Sequence, residues 1–350
     1  MTQNIQTNPG IRLPAEWEPQ SFLQLTFPHA GSDWDYLLEE ASACFEEIIT
    51  AVARFQPVLV VCDNVSSVRS RFNTNENIRF TEAPSNDTWA RDHGGITVIG
   101  NGKAFIQDYI FNGWGKKFDA GLDNQITPTL FQKGIFQNCE LKNFDFVLEG
   151  GSIESDGKGT ILTTKECLLE KNRNPKYSQE EIENILKQNL GAQRILWLNH
   201  GYLAGDDTDS HIDTLARFCD ENTIAFTVCH DPEDEHYEAL WQMKKQLQQF
   251  TNNEGNPYRL VELPLPDACF DDDGNRLPAT YANFTIINGA VLAPVYGLAQ
   301  DSIVLEILQK CFPEREIIPV NCRVLIEQHG SLHCVTMQYP EQVKLKMMKD

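Results

Sequence analysis

The residues in this chain most able to do chemistry lie in four polar stretches. The last is Gly330-Ser331-Leu332-His333-Cys334-Val335-Thr336-Met337-Gln338-Tyr339-Pro340. It sets a cysteine in what reads as a short β-type run, Leu332 to Thr336, behind a glycine and beside polar groups. A thiol is a good nucleophile only as thiolate, and that needs a positive or hydrogen-bond-donating setting. Nothing local to Cys334 supplies one. Cys334 is also one of ten cysteines, and most cysteines pack as small hydrophobes. A reactive role therefore needs partners from elsewhere in the chain.

Three other stretches offer them. Asn86-Asp87-Thr88-Trp89-Ala90-Arg91-Asp92-His93-Gly94-Gly95 precedes a strand-like run, Ile96 to Ile99. A tryptophan among alternating charges is not a core pattern, although Arg91 and Asp92 could simply form a structural ion pair. In Leu148-Glu149-Gly150-Gly151-Ser152 the carboxylate ends an apolar strand, Phe144 to Leu148, and the glycines let a backbone or ligand come close. In Gly205-Asp206-Asp207-Thr208-Asp209-Ser210-His211-Ile212-Asp213, His211 and Asp213 are two apart and on a strand would share a face. A histidine beside a carboxylate suits general acid–base work. Asp207, Asp209 and His211 imitate the start of a calcium loop, but Ile212 stands where such a loop needs glycine and Phe218 where it needs glutamate. The expectation is no metal, with these groups holding substrate instead.

Cysteine, histidine and carboxylates far apart in sequence can converge in a fold, as cysteine hydrolases require. This set has more carboxylates than a protease-type site needs. Surplus carboxylates around a nucleophile point to a cationic substrate. A planar guanidinium with five donors is the cation that two carboxylates hold most specifically.

The elements that would carry these stretches alternate. Residues 1 to 19 read as an irregular arm, and Ser21 to Phe27 as a strand. Ser32 is placed to cap a helix with Trp34, Leu37, Leu38, Ala41, Phe45, Ile48, Ile49 and Val52 on its apolar face. The strand Val58 to Val61 follows. Ser178 with Glu181 predicts a capping box before Ile182, Ile185, Leu186 and Leu190, with Gly191 as the stop. The strand Ile195 to Leu198 comes next. Asp231-Pro232 predicts another helix start, with Tyr237, Leu240, Met243, Leu247 and Phe250 inward. Val304, Ile307, Leu308 and Cys311 mark one more helix, before the strand Ile317 to Val320. Asp271-Asp272-Asp273-Gly274 reads as a solvated turn. Recurring strand–helix–strand units favour an α/β class.

With 350 residues, of which 41% are hydrophobic and 23% charged, the chain has ordinary globular proportions. Its length would allow two domains or one large barrel- or propeller-like domain, and no linker divides residues 1–350. A net charge of −21 disfavours nucleic acid and anionic membranes as partners and suits a cationic small molecule. The cysteines form no C-x-x-C pair, the first residues carry no targeting signal, and no apolar run has membrane-spanning length. A cytoplasmic protein with reduced thiols is the expectation.

Taken together, these motifs resemble the agmatine deiminase family of guanidine-modifying enzymes, relatives of the peptidylarginine and arginine deiminases. The resemblance runs from Leu13-Pro14-Ala15-Glu16-Trp17-Glu18-Pro19 through Thr88 to Asp92, Leu148 to Ser152 and Thr208 to Asp213. It continues through Tyr281-Ala282-Asn283-Phe284, Pro294-Val295-Tyr296-Gly297 and Phe312-Pro313-Glu314-Arg315 to His333-Cys334-Val335-Thr336. Each motif is weak alone; their order is specific. Gly95, Met337 and the approach to Cys334 depart from the family pattern, which leaves preference among guanidine substrates open.

The resemblance implies a five-bladed pseudo-symmetric α/β propeller with a central site and no cofactor. It implies hydrolysis of agmatine to N-carbamoylputrescine and ammonia. By the same resemblance Cys334 attacks the guanidinium carbon, Asp92 and Asp213 grip its nitrogens, His211 moves protons, Glu149 orients His211, and Trp89 lines the aliphatic chain. Asp207 and Asp209 are the candidates for the distal amine. A peptidylarginine or free-arginine deiminase and a non-catalytic polyamine binder are the alternatives. The oligomeric state stays open, a homo-oligomer included.

Overall fold

Runs of Val, Ile, Leu and Phe pair into five sheets of three or four strands, with helices between them. The structure is a computed structural model that describes residues 10–346. Four of the sheets repeat one connection: an antiparallel hairpin, then a helix, then a strand parallel to the hairpin's second strand. Ile96–Gly100 and Lys103–Ile110 form the hairpin of the first such unit, Ile126–Gln132 its helix and Cys139–Val147 its parallel strand. The next has Ile153–Ser155, Thr160–Thr164, helix Gln179–Leu190 and Arg194–Leu198. Then come Ala216–Asp220, Thr223–Val228, helix Tyr237–Leu247 and Arg259–Pro264. The last has Thr285–Ile287, Ala290–Val295, helix Gln300–Cys311 and Glu316–Asn321.

The fifth sheet joins the two ends of the described chain. Gln20–Thr26 runs parallel to Val58–Cys62 across helix Leu38–Ala53, and Val58–Cys62 runs parallel to Ile78–Glu82. The antiparallel neighbour of Gln20–Thr26 is Met337–Pro340, with Phe22 opposite Tyr339. A strand from the far end thus takes the hairpin position in this unit. Phe22, Tyr339 and Phe136 stack there, fully or nearly fully buried.

The helices present the apolar faces that their spacing predicts. Ala41, Phe45, Ile48, Ile49 and Val52 are buried on the first long helix. Ser178 and Glu181 form the reciprocal capping box, and Gly191 ends that helix at φ +70°. The acidic turn at Asp271 to Gly274 sits at the tip of a small ribbon, Cys269–Phe270 with Arg276–Leu277.

Three local expectations fail. Ser32 is not the cap of the first helix: its hydroxyl donates to the His29 carbonyl, and the helix is entered through a 3-10 turn, Asp35–Leu37. The helix expected from Asp231-Pro232 begins only at Tyr237. Asp231 takes the Glu233 amide and Asp234 takes the His236 amide, so two side chains compete for donors a helix would need. The arm is not wholly irregular either. Ile11–Arg12 pairs antiparallel with Ile99 and Gly100, while residues 1–9 lie outside the described residues.

Candidate active site

Four of the sheets have one of the polar stretches before their leading strand, and the fifth has Asn283 of the Tyr281-Ala282-Asn283-Phe284 motif. Asp92 closes on Ile96, Glu149 on Ile153, His211 and Asp213 on Ala216, Asn283 on Thr285, and Cys334 on Met337. None of these side chains lies within a strand. Asp92 is in a short helix, Ala90–His93, and Glu149 is the residue before the 3-10 turn Gly150–Ser152. His211 and Asp213 sit at and in another 3-10 turn, Ile212–Thr214. The shared-face argument for a strand therefore does not apply to them. Leu332 to Thr336 is likewise a turn and not a β-run. The Thr336 amide and hydroxyl both return to the His333 carbonyl, so the ladder begins only at Met337.

The stretches nevertheless converge. A Cβ built on Gly151 would lie 2.6 Å from His211 Nδ1, 2.9 Å from Asp92 Oδ1 and 3.1 Å from Asp213 Oδ2. Three side chains from two separate segments, Asp92 from one and His211 with Asp213 from the other, meet over that one glycine. Only the absence of a Cβ lets them do so. Gly330 does the same for Trp89, whose ring would be 2.1 Å from an added Cβ.

The Gly151 amide and Trp114 Nε1 donate to the two oxygens of Asp92, at 3.0 and 2.9 Å. His211 Nδ1 lies 3.6 Å from Asp92 Oδ1. Asp213 accepts from or donates to His333 Nδ1 through Oδ2 at 2.7 Å, while its Oδ1 has no hydrogen-bond partner. Asn283 fixes the cysteine turn: its Oδ1 accepts from the His333 amide at 2.8 Å and the Cys334 amide at 3.3 Å, and its Nδ2 donates to the Asp213 carbonyl at 3.2 Å. A cleft lined by Trp89, Trp114, Phe118, Asp92, Asp207 and Cys334 leads to this point, with Asp33 and Asp87 also on its wall.

Burial sets the protonation states. It pushes Asp92 up to about 7, with Glu149 adding to the shift, and pushes Asp213 well above the carboxylate range, with Asp92 adding. It holds His211 neutral, well below its ordinary value, helped by Arg173 and Lys117. It also raises the Cys334 thiol, with the negative fields of Asp213 and Asp92 in the same direction. The resting site is thus a buried thiol and two carboxyl groups that all resist ionisation until a cation arrives.

Arg173, which the motifs do not contain, holds two of them together. Fully buried, it donates from Nε to Glu149 at 2.8 Å, from Nη1 to Asp209 at 2.6 Å and from Nη2 to the Thr208 carbonyl at 2.8 Å. It ties the Glu149 stretch to the His211 loop. Asp209 also receives Lys117 Nζ at 2.7 Å. Both Asp209 oxygens are thus engaged, and it does not line the cleft. Asp207, in contrast, does line the cleft. Asp206 turns inward and holds the loop through Thr208 and Ser210. Arg91 does not pair with Asp92; its Nη1 donates to Gln338 Oε1 at 2.7 Å.

The calcium-like reading loses its second ligand in the same way. A different trio, Glu149, Cys167 and His211, places one donor atom each within 4.8 Å of the others. The Arg173 cation already bound to Glu149 would repel a dication there. The donor set fits a metal poorly.

The model of the Porphyromonas-type peptidyl-arginine deiminase family matches residues 12–340. The chain belongs to this family. Family relatives include an agmatine deiminase of Pseudomonas aeruginosa (strain LESB58), 34% identical over 95% of this chain and 96% of that one. Among solved structures, a cysteine-to-serine variant of the C. jejuni agmatine deiminase with substrate bound is 42% identical, with TM-score 0.89 over 94% of this chain and 96% of that one. A structure from Porphyromonas gingivalis that carries an arginine deiminase name is 50% identical, with TM-score 0.92 over 95% of this chain and 99% of that one. The mixed α/β fold is that of the guanidine-modifying enzymes.

In this family member the sequence motifs contain Cys334, His211, Asp92, Asp213, Glu149 and Trp89 but do not mark Trp114, Phe118, Arg173 or His333. Trp114 is held at φ +53° and packs edge-on against Trp89 and Phe111. Its motif, Asn112-Gly113-Trp114-Gly115, could have been noticed as a glycine-flanked tryptophan. Arg173 carries no local signal at all.

Proposed function

We propose that this protein is an agmatine deiminase, hydrolysing agmatine to N-carbamoylputrescine and ammonia. The observation that carries the reading is the convergence of Asp92, His211 and Asp213 over Gly151, at the end of a cleft shared by Cys334 and walled by tryptophans and further aspartates. Curated relatives and solved structures that are agmatine deiminases, one with substrate bound, support it. The five like units, the last strand completing the first, support a five-bladed propeller within a single domain.

In this reading Asp92 and Asp213 take the guanidinium, and its charge offsets the two fields that hold the Cys334 thiol protonated. Fixing the central carbon beside sulfur removes much of the entropic barrier. Cys334 attacks and a tetrahedral adduct forms. His211 rests neutral, so the proton it delivers to the departing ammonia comes from within the site, and the attacking thiol is the group that gives one up. An amidino-thioether remains. His211 then takes a proton from water as it attacks the same carbon, and the thiol leaves. Glu149, held by Arg173 through Oε1, is the residue assigned to orienting His211, although its Oε2 and both His211 ring nitrogens make no hydrogen bond here, and Trp89 is assigned to the aliphatic chain. Asp207 is the residue assigned to the distal amine. The scattered free thiols suit a reducing compartment such as the cytoplasm; no helix among the described residues is long and apolar enough to cross a membrane.

The test is chemical. Agmatine should yield ammonia and N-carbamoylputrescine, and rapid quench followed by peptide mass spectrometry should find the amidino adduct on Cys334. Near-wild-type turnover by Cys334→Ser would overturn the assignment.

A further inference from the structure

A chain of buried groups runs from the guanidinium site to the opposite side of the active-site wall. Asp213 Oδ2 lies 2.7 Å from His333 Nδ1, and His333 Nε2 lies 2.9 Å from Glu16 Oε2. Glu16 also receives Arg217, which bonds Glu154 in turn, and its Oε1 accepts from the Ile286 amide at 2.7 Å. Asp213, His333, Glu16 and Arg217 are all nine-tenths buried or more. Glu16 and His333 border a second cavity, which Asp213 and Cys334 do not line.

Two contacts of hydrogen-bond length in this chain need two protons. Glu16 is ionised: burial would raise it, but Arg217 and His333 outweigh that and hold it far below the carboxylate range. Its contact to His333 therefore uses a proton on Nε2. The remaining proton lies between Asp213 Oδ2 and His333 Nδ1, and it can rest on either. Two arrangements are available: carboxylic acid with neutral imidazole, or carboxylate with imidazolium.

We propose that His333, backed by Glu16, accepts the proton of Asp213 when the guanidinium binds, so that Asp213 becomes a clamping carboxylate without releasing a proton into the buried site. The Oδ2–H bond breaks and the Nδ1–H bond forms across the existing 2.7 Å contact; nothing enters or leaves. His333 touches neither substrate nor sulfur in this scheme and is a positioning residue. The inference rests on the guanidine-hydrolysing reading of the site.

The surrounding charges favour a switch between these arrangements. Without a cation, burial and the neighbouring Asp92, Asp206 and Glu16 push Asp213 well up, against the attraction of Arg91. Burial, Arg217 and Arg91 push His333 well down, against the attraction of Glu16. The proton then rests on Asp213. A guanidinium against Asp213 adds a positive charge at contact distance and reverses the preference. The resulting imidazolium lies between two carboxylates, Asp213 and Glu16. Asp92 has no such relay, since its oxygens meet Trp114, the Gly151 amide and a neutral His211.

Agmatine binding to the Cys334→Ser protein provides the test, because turnover is removed. In 15N-histidine NMR, one imidazole should pass from singly to doubly protonated as agmatine is added. It is assigned to His333 by its absence in His333→Gln or, should that variant not fold, by its shift in Glu16→Gln. Titration calorimetry in buffers of different ionisation heat should show Glu16→Gln releasing about one proton more per agmatine than its parent, near pH 6. A His333 already doubly protonated without agmatine, or unchanged with it, overturns the relay, as does equal proton release. A protein that binds no agmatine in any background overturns instead the functional reading beneath it.

Discussion

A buried carboxylate pair is a poor neighbour for a thiolate and a good one for a cation. That opposition is the central fact at the scale of single residues. Cys334 is raised by burial and by Asp213 and Asp92, so the free protein holds little reactive sulfur, and the substrate supplies the charge that makes it so. Asp92 then sets the pH dependence. Burial and Glu149 bring it to about 7. Below that pH the free site carries a neutral acid where the cation needs a carboxylate; above it the carboxylate is present. The guanidinium stays protonated throughout. The ratio kcat/KM for agmatine is therefore expected to rise with pH, about tenfold per unit, until it levels near 7. Asp92→Asn should remove that limb along with most of the affinity. A flat profile across this range would show that Asp92 is already ionised in the free protein. His211→Ala should cost about 10²–10⁴-fold in turnover, the usual worth of an acid–base group.

At the scale of elements, the functional groups lie on the turns that lead into sheets, and that placement explains what could be read in advance. The strands and the helix faces are local facts of spacing, and the capping box at Ser178 appears as its residues predict. The polar stretches could be recognised because each interrupts an apolar pattern just before a strand. Their backbone geometry was not legible: the turns at His211 and at Cys334 look like strand in sequence, but the first is bent by the Thr208 hydroxyl of its own loop and the second by Asn283 and Arg91 from other units. The failed helix start at Asp231 has the same origin, side chains that bond backbone donors nearby. Arg173 and His333 escaped because their roles consist of partners far away in sequence. The ion pairs of Asp209 with Arg173 and Lys117 were hidden for the same reason. The turn at Gly151 bears the closest packing, so Gly151→Ala is the sharp test at this scale. Its methyl would meet His211 Nδ1 at 2.6 Å and Asp92 Oδ1 at 2.9 Å. Displacing them by about 1 Å should lower kcat about 10²-fold, and the thermal midpoint should fall as well, because overpacking a buried site costs about 1–3 kcal/mol. Unchanged kcat would mean that the three side chains do not work in the positions seen here.

At the scale of the whole molecule, charge decides which guanidine is used. Agmatine ends in an amine, and arginine adds a carboxylate. The chain has a net charge of −21, and Asp33 and Asp207 bring it to the cleft walls; burial pushes Asp87, also on the wall, up to about 7, so it adds less. The nearby cations do not compensate. Lys117 and Arg173 are bound to Asp209 and do not line the cleft. The one basic side-chain type on its wall, His329, lies 3.8 Å from Asp207. A substrate carboxylate brought there meets like charge, a penalty of roughly 1–4 kcal/mol under partial screening, equivalent to about tenfold to several hundredfold in selectivity. An amine at the same place meets attraction. Agmatine should therefore exceed free arginine in kcat/KM by that factor, and Asp207→Asn should narrow the gap by weakening agmatine and relieving arginine together. A blocked arginine peptide has no free carboxylate, so charge excludes it less; there the aromatic constriction of Trp89, Trp114 and Phe118 must exclude it by shape. Ammonia release from agmatine, arginine and the blocked peptide, run at low and high salt, separates the two causes. Salt should shrink the agmatine–arginine gap by screening and leave the peptide's exclusion in place. Arginine turned over as well as agmatine at low salt would refute the role given to the acidic wall, and the guanidine chemistry at Cys334 would stand independently of it.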